Sequence, residues 1–216
     1  MEFDKLLLDV LPVTFRWKKW VDILDSQTYW ENFKLNDAKA CKNCINIGKQ
    51  CKELTVANFI VENTVVVSYQ LEDFWDEYAK HYKKAQGSVC DYIHIDISYN
   101  KFVLNELTCT KEVYVNPFVN TKGQQDGKRE KARKQMNSVV SLLNEVNEIE
   151  NYISTFGEKI GLFSWRIPSD DSNVAEKAMG MFMQPQKAVG DITVLTGLNH
   201  GFKFVQQLYP ATFKFG

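Results

Sequence analysis

The chain has no apolar run near the roughly 20 residues that would span a bilayer. Its N-terminal stretch, MEFDKLLLDVLPVTFRW, carries acids where a signal peptide would carry a basic segment. Both absences lead to the expectation of a cytoplasmic protein with no membrane partner. Internal repeats and low-complexity tracts are also missing, which excludes solenoids and long disordered tails. No Gly-rich phosphate loop, His-Glu-x-x-His motif or Ser-His-Asp arrangement appears. Histidine is scarce, with 3 in 216 residues. His81 falls in an aromatic helical segment, His94 on a strand and His200 in an Asn-His-Gly turn, so no histidine-based scheme assembles. Charge of one sign is not in excess either, since 26 Lys and Arg against 27 Asp and Glu leave a net charge of −1. A generally basic nucleic-acid coat is thereby excluded, and any contact with a polyanion must be local.

What is present is an ordinary globular composition, 44% hydrophobic and 25% charged. The pattern divides into an N-terminal helical, cysteine-containing extension over residues 1–58 and an α/β core with C-terminal helices over 59–216. The extension holds Cys41-x2-Cys44-x6-Cys51. A Cys-x2-Cys pair is half of a Zn2+ site, with His81, Cys90 or Cys109 as the available fourth ligand. Ordinary buried or surface thiols are the competing reading, and the favoured one.

The most informative stretch is Cys90 to Lys111. Tyr92, Ile93, Ile95 and Ile97, then Phe102, Val103, Leu104 and Leu107, form two strand-like runs, and Ser98 to Lys101 supply the turn. A turn centred on Tyr99-Asn100 sets Asp91 opposite Thr108, Ile93 opposite Glu106 and Ile95 opposite Leu104, all on one face. Asp91 and Glu106 become diagonal neighbours, roughly 7–8 Å apart at Cα, close enough to share Mg2+ or Mn2+. Carboxylates on a solvated strand face are the bland alternative. Against it, Ile93, Ile95 and Leu104 share that face, so part of it should be buried and its acids need a partner. The same register makes Cys90 and Cys109 cross-strand neighbours on the opposite face.

Downstream, Lys122, Lys128, Arg129, Lys131, Arg133 and Lys134 crowd against only Asp126 and Glu130. Val139, Val140, Leu143, Val146, Ile149 and Ile153 then recur at helical spacing, predicting one helix from about Lys128 to Tyr152. Cations at a helix N-terminus oppose the macrodipole, and a phosphate-bearing polyanion explains them. Lys128, Arg129 and Arg133 are the candidate nucleic-acid contacts.

The rest reads as scaffold. Leu71, Phe74, Trp75, Tyr78 and Tyr82 form a helical stripe, and Phe59 to Tyr69 reads as one strand or a hairpin around Glu62-Asn63. Lys159 to Ile167 is a strand stopped by Pro168. Two short helices, Val174 to Met183 and Gly201 to Leu208, flank a strand near Ile192 to Leu195. The order strand, helix, hairpin, long helix, strand predicts an α/β fold with a mixed central sheet and flanking helices.

A Cys-Asp-aromatic-apolar strand, a hairpin, an apolar strand ending in Glu-Leu-Thr and a basic stretch opening a long helix together resemble the PD-(D/E)XK, or restriction-endonuclease-like, nuclease superfamily. The resemblance covers roughly residues 70 to 168 and rests on Asp91, Glu106 and Leu107. Thr108 stands where the motif has Lys. The resemblance implies a restriction-endonuclease-like core and a Mg2+- or Mn2+-dependent nuclease, with Asp91, Glu106 and the Leu107 carbonyl as metal ligands. It further implies a basic residue borrowed from the following helix, Lys131 or Lys134, and a Gln, Gln135, near the scissile phosphate. The implied partner is nucleic acid, DNA before RNA, with a homodimer or a partner subunit as further expectations and a bacterial defence system as a setting. Because Thr108 brings no charge, a catalytically inactive member that binds nucleic acid or another protein is the alternative.

Overall fold

The computed structural model describes residues 2–36, 55–85, 89–98, 101–167, 192–195 and 197–216. Short helical pieces open the chain, α1 (Phe3–Lys5) and α2 (Leu11–Thr14) with a π-helical turn between them at Leu6–Val10. Next come β1 (Ser26–Tyr29), β2 (Phe33–Asn36), β3 (Thr55–Val61), β4 (Val66–Gln70) and α3 (Glu72–Ala79). The hairpin strands are β5 (Tyr92–Asp96) and β6 (Lys101–Cys109), followed by β7 (Phe118–Asn120), β8 (Gly123–Gln125), α4 (Lys128–Leu143) and α5 (Asn147–Ser154). β9 (Glu158–Arg166), β10 (Ile192–Val194), β11 (Lys203–Leu208) and β12 (Thr212–Phe215) complete the described elements.

A seven-stranded mixed sheet runs in the order β1-β4-β5-β6-β9-β11-β10, and a three-stranded sheet in the order β12-β3-β2. Along β6 the side chains alternate between two buried surroundings. Phe102 and Leu104 join Phe3, Met136, Val140, Ile149 and Phe163 on the helix side, whereas Val103 and Leu107 join Phe33, Phe59, Leu162 and Phe215 on the side of the smaller sheet. The molecule is therefore layered as helices, large sheet, small sheet. The predicted α/β class with a mixed sheet and flanking helices holds. β4, β5 and β6 are successively antiparallel, and β6 pairs parallel with β9 after the α4–α5 crossover.

Several expectations are corrected. Strand pairing sets Ile93 opposite Leu104 and Tyr92 opposite Asn105, two residues away from the expected register. A shift of two preserves the alternation, so every side chain keeps its face. The Tyr99-Asn100 turn itself lies outside the described residues. Cys90 and Cys109 are not neighbours: Cys90 is buried on the helix side and Cys109 packs toward the smaller sheet. The single helix from Lys128 to Tyr152 is two. Asn144 ends α4 by donating Nδ2 to the Val140 carbonyl at 2.7 Å, and the extended, buried Val146 starts α5. Asn144, Val146 and Asn147, three poor helix formers within four residues, weaken the helix there. Phe59 to Tyr69 is not a hairpin, because β3 and β4 turn at Asn63 (φ 53°) into different sheets.

Gly201 to Leu208, expected helical, contains strand β11. Phe204 and Val205 are buried on its two opposite faces, which removes the polar alternation that marks a strand. The described part of 1–58 is built into the body: β1 edges the large sheet, β2 belongs to the small one, and Phe3, Leu6, Leu7 and Leu11 are buried on the helix side. The expected boundary at 58/59 falls inside β3. Cys41, Cys44 and Cys51, with the Zn2+ reading, and the Val174 to Met183 helix lie outside the described residues.

Candidate active site

Continued two residues beyond Ile93, the β5–β6 register runs toward Asp91 level with Glu106, across the ladder rather than on its diagonal. Asp91 sits just before β5, and its Oδ2 accepts the Leu107 N–H at 2.6 Å. That bond fixes its carboxylate against the backbone next to Glu106. α4 packs over this end of β6 and β9. Between them lies a cleft of about 320 Å³ lined by Glu106, Thr108, Lys128, Lys131, Lys134, Gln135 and Phe163.

The helical period explains the lining of the cleft. Lys128, Lys131 and Gln135 are three and four residues apart and occupy one face of α4, while Ala132, Met136, Val139 and Val140 are buried and hold the helix to the sheet. Gly127 precedes the helix because nothing larger fits: a Cβ there would lie 2.2 Å from the Asn116 carbonyl carbon. Gly127→Ala is expected to lower stability by about 1–3 kcal/mol through overpacking and to displace Lys128. Urea unfolding checks this, and an unchanged midpoint would contradict the close approach.

The electrostatics of the cleft centre on Glu106. Burial drives its carboxyl well above the ordinary carboxylate range, and the charges of Asp91 and, more weakly, Glu72 push the same way. A hydrogen bond from the Gln135 side chain and the Lys128 charge pull it back. Gln135 also donates Nε2 to the Val89 carbonyl at 3.2 Å, which holds its amide in place. Among the described residues Glu106 Oε2 is buried with no hydrogen-bond partner, and a buried polar atom in that condition is costly. Cys90, close behind, has its thiol pushed up by burial and by the Glu106 and Asp91 charges, so it stays protonated and unreactive.

Of the basic residues expected to act, Lys131 and Lys134 both line the cleft, but Lys134 is held by Asp126 at 2.5 Å. Lys131 makes no ion pair among the described residues. Arg133 is engaged twice by Glu130, at 2.6 and 2.8 Å, so its charge is largely spent within the helix. Arg129 is half-buried at the helix base, its amide donating to the Val115 carbonyl at 3.1 Å. Thr108 is in the cleft but only 8% exposed. Lys128, expected only as a nucleic-acid contact, is the cation whose charge acts on Glu106. Its spacing from Lys131 and Gln135 carried that information. Phe163 was not anticipated, because only the β6–β9 register, which sets it beside Glu106, reveals it.

Two carboxylates with one bare buried oxygen are a fitting start for a hard divalent cation. Among the described residues no three His, Cys, Asp or Glu are grouped to hold a metal by themselves. Mg2+ accepts that poverty, since it binds through one or two carboxylates plus water and phosphate oxygens. In comparisons with protein-family models, curated proteins and solved structures, nothing matches this chain.

Proposed function

We propose that the protein is a metal-dependent nuclease that hydrolyses phosphodiester bonds in nucleic acid at the cleft between β6 and α4. The observation that carries this reading is the pairing of Asp91 with Glu106, whose Oε2 is buried without a partner among the described residues, beneath a helix face bearing Lys128 and Lys131. The chain order supports it too: an antiparallel hairpin, then a helical crossover to a parallel strand beside β6, is what a restriction-endonuclease-like core requires.

Asp91, Glu106 and the Leu107 carbonyl would hold the metal. Bound there, Mg2+ or Mn2+ supplies Lewis-acid polarisation of the phosphodiester and lowers the pKa of water. The protein's part is orientation and charge. The Leu107 amide holds Asp91, and Gln135 holds Glu106. Lys128 takes the place of the Lys missing at Thr108 and offsets the charge that develops on the phosphoryl oxygens during in-line attack. Lys131, one turn further on, grips a neighbouring phosphate.

The test is cleavage of single- and double-stranded DNA and RNA with Mg2+ or Mn2+, comparing the native chain with Asp91→Ala, Glu106→Ala and Lys128→Ala. Metal-dependent cutting lost in both acid variants, and reduced about 10²-fold or more in Lys128→Ala, is the expected result. A second reading, an inactive binding subunit, draws on the uncharged and nearly buried Thr108. Nucleic-acid binding with no cutting by the native chain would select it.

A further inference from the structure

Between the two sides of the cleft the chain makes an excursion that packing does not explain. Thr108 and Lys128 both line the cleft, and the segment between them leaves the body. Val115 is its buried anchor at 1% exposure, while Val113, Tyr114 and Val119 stand 62%, 42% and 79% exposed. Among the described residues β7 and β8 pair only with each other, Phe118 with Gln125 and Asn120 with Gly123, and the turn at Gly123 has φ 91°. The base, by contrast, is firmly held. The Thr110 amide donates to the Arg166 carbonyl at 2.9 Å and the Arg129 amide to the Val115 carbonyl at 3.1 Å. Gly127 abuts Asn116, Asp126 pairs with Lys134, and the Tyr114 ring meets Phe118 edge-on at 4.9 Å.

A ribbon with a fixed base, an exposed valine beside a polar Asn120-to-Gly123 tip and both feet on the rim of a lysine-lined cleft is placed to touch whatever enters that cleft. Exposed apolar groups on a long connection cost solubility unless they meet a partner. We infer that residues 111–126 form a gripping arm whose β7–β8 ribbon enters the major groove of a B-form DNA duplex while the duplex backbone lies along Lys128 and Lys131. The inference rests on the phosphodiester reading of the cleft. The dimensions agree: a two-stranded ribbon fits a major groove about 12 Å wide. Three paired residues reach about 10 Å, near three base-pair rises of about 3.4 Å each. Val119 would meet base edges or thymine methyls, and Lys122 at the turn a phosphate. An A-form RNA duplex, with its deep and narrow major groove, does not admit the ribbon.

The experiment is fluorescence anisotropy of the full chain, in EDTA so that nothing is cut, with a labelled DNA duplex of about 20 base pairs. The same sequence as an RNA duplex and as single-stranded DNA serves for comparison. The variants are Val119→Glu/Lys122→Glu, both at exposed positions and checked for folding by circular dichroism, and Lys131→Ala in the cleft. Expected are a preference of tenfold or more for duplex DNA and a tenfold or greater loss of it in the double variant. Native-like DNA binding by the folded double variant, with Lys131→Ala weakened, overturns the arm and leaves the cleft reading standing. Equal losses on RNA duplex and single strands overturn the groove contact. No binding by the native chain to any nucleic acid removes both the arm and the reading it rests on. A native dimer that the double variant splits in sedimentation makes the arm a contact between chains and overturns the inference.

Discussion

Glu106→Gln is expected to abolish metal-dependent cleavage, by roughly 10³-fold, and at the same time to make the metal-free protein more stable at neutral pH. Most active-site substitutions would not do both. The stabilisation follows from the surroundings of the carboxyl. Glu106 is an acid with a bare buried oxygen beside a second acid, and its charged form is disfavoured by burial first and by Asp91 second. Its folded pKa lies above the unfolded value, so the stability it contributes is fully present below the unfolded pKa and is lost as pH rises through the raised folded one. In EDTA, the melting temperature of the native chain should therefore fall relative to that of the Gln variant as pH rises above the ordinary carboxylate value of about 4.3. Adding Mg2+ should recover the native chain and leave the variant unmoved. The difference between the two proteins is the readout, because His94 titrates with the opposite sign at lower pH. A variant less stable than the native chain at pH 8 in EDTA would mean that the carboxylate is favourably engaged, and the account of an unpaired acid would fail.

The acids were legible because strand alternation is insensitive to a register error of two. Asp91, Glu106 and Thr108 share a face with Ile93, Ile95 and Leu104 under either pairing, and only their separation changed. The lysines were legible as a helical set but not individually. Nothing in a list of charged residues says that Asp126 and Glu130 occupy Lys134 and Arg133 while Lys128 is left beside Glu106. Sheet membership was the least accessible feature. β3 and β4 follow one another with a single turn between them, yet each is completed by strands distant in sequence, β12 and β5. β11 hid its nature because both of its faces are covered. The charge of Glu72, at the start of α3, also reaches Glu106. That relation exists only once α3 is placed.

His94 was set aside as catalytically useless, and its position gives it a different consequence, an acid-sensitive core. It is fully buried between the sheets, with the rings of Phe33, Phe59, Tyr92 and Phe215 at 5.2–6.1 Å, and burial lowers its pKa to about 3. It must be neutral, and its tautomer can be argued from its neighbours. Nε2 lies 3.2 Å from the Asn105 side-chain amide, and Nδ1 has no partner among the described residues. Ser164 carries one hydroxyl proton but faces two amide oxygens, Asn105 Oδ1 and Gln207 Oε1, each at 3.0 Å. Turning the Asn105 amide over resolves the conflict. His94 Nε2–H then donates to the Asn105 oxygen, the Asn105 amide to Ser164, Ser164 to Gln207, and Gln207 to the Asn58 and Ala211 carbonyls.

Protonation ends this arrangement. A histidine whose folded pKa is depressed contributes stability that is complete above its unfolded value near 6.5 and is lost as pH falls toward the folded one. The loss is on the order of 5 kcal/mol across that window, a large part of the roughly 5–15 kcal/mol that holds a domain together. Urea unfolding from pH 7 to pH 4 should show the native chain losing stability against His94→Gln, which keeps an N–H donor for Asn105 and cannot titrate. The gap between the two should widen by about 1.4 kcal/mol per pH unit below pH 6. Parallel curves would show that His94 is not the acid-sensitive group and that water reaches between the two sheets.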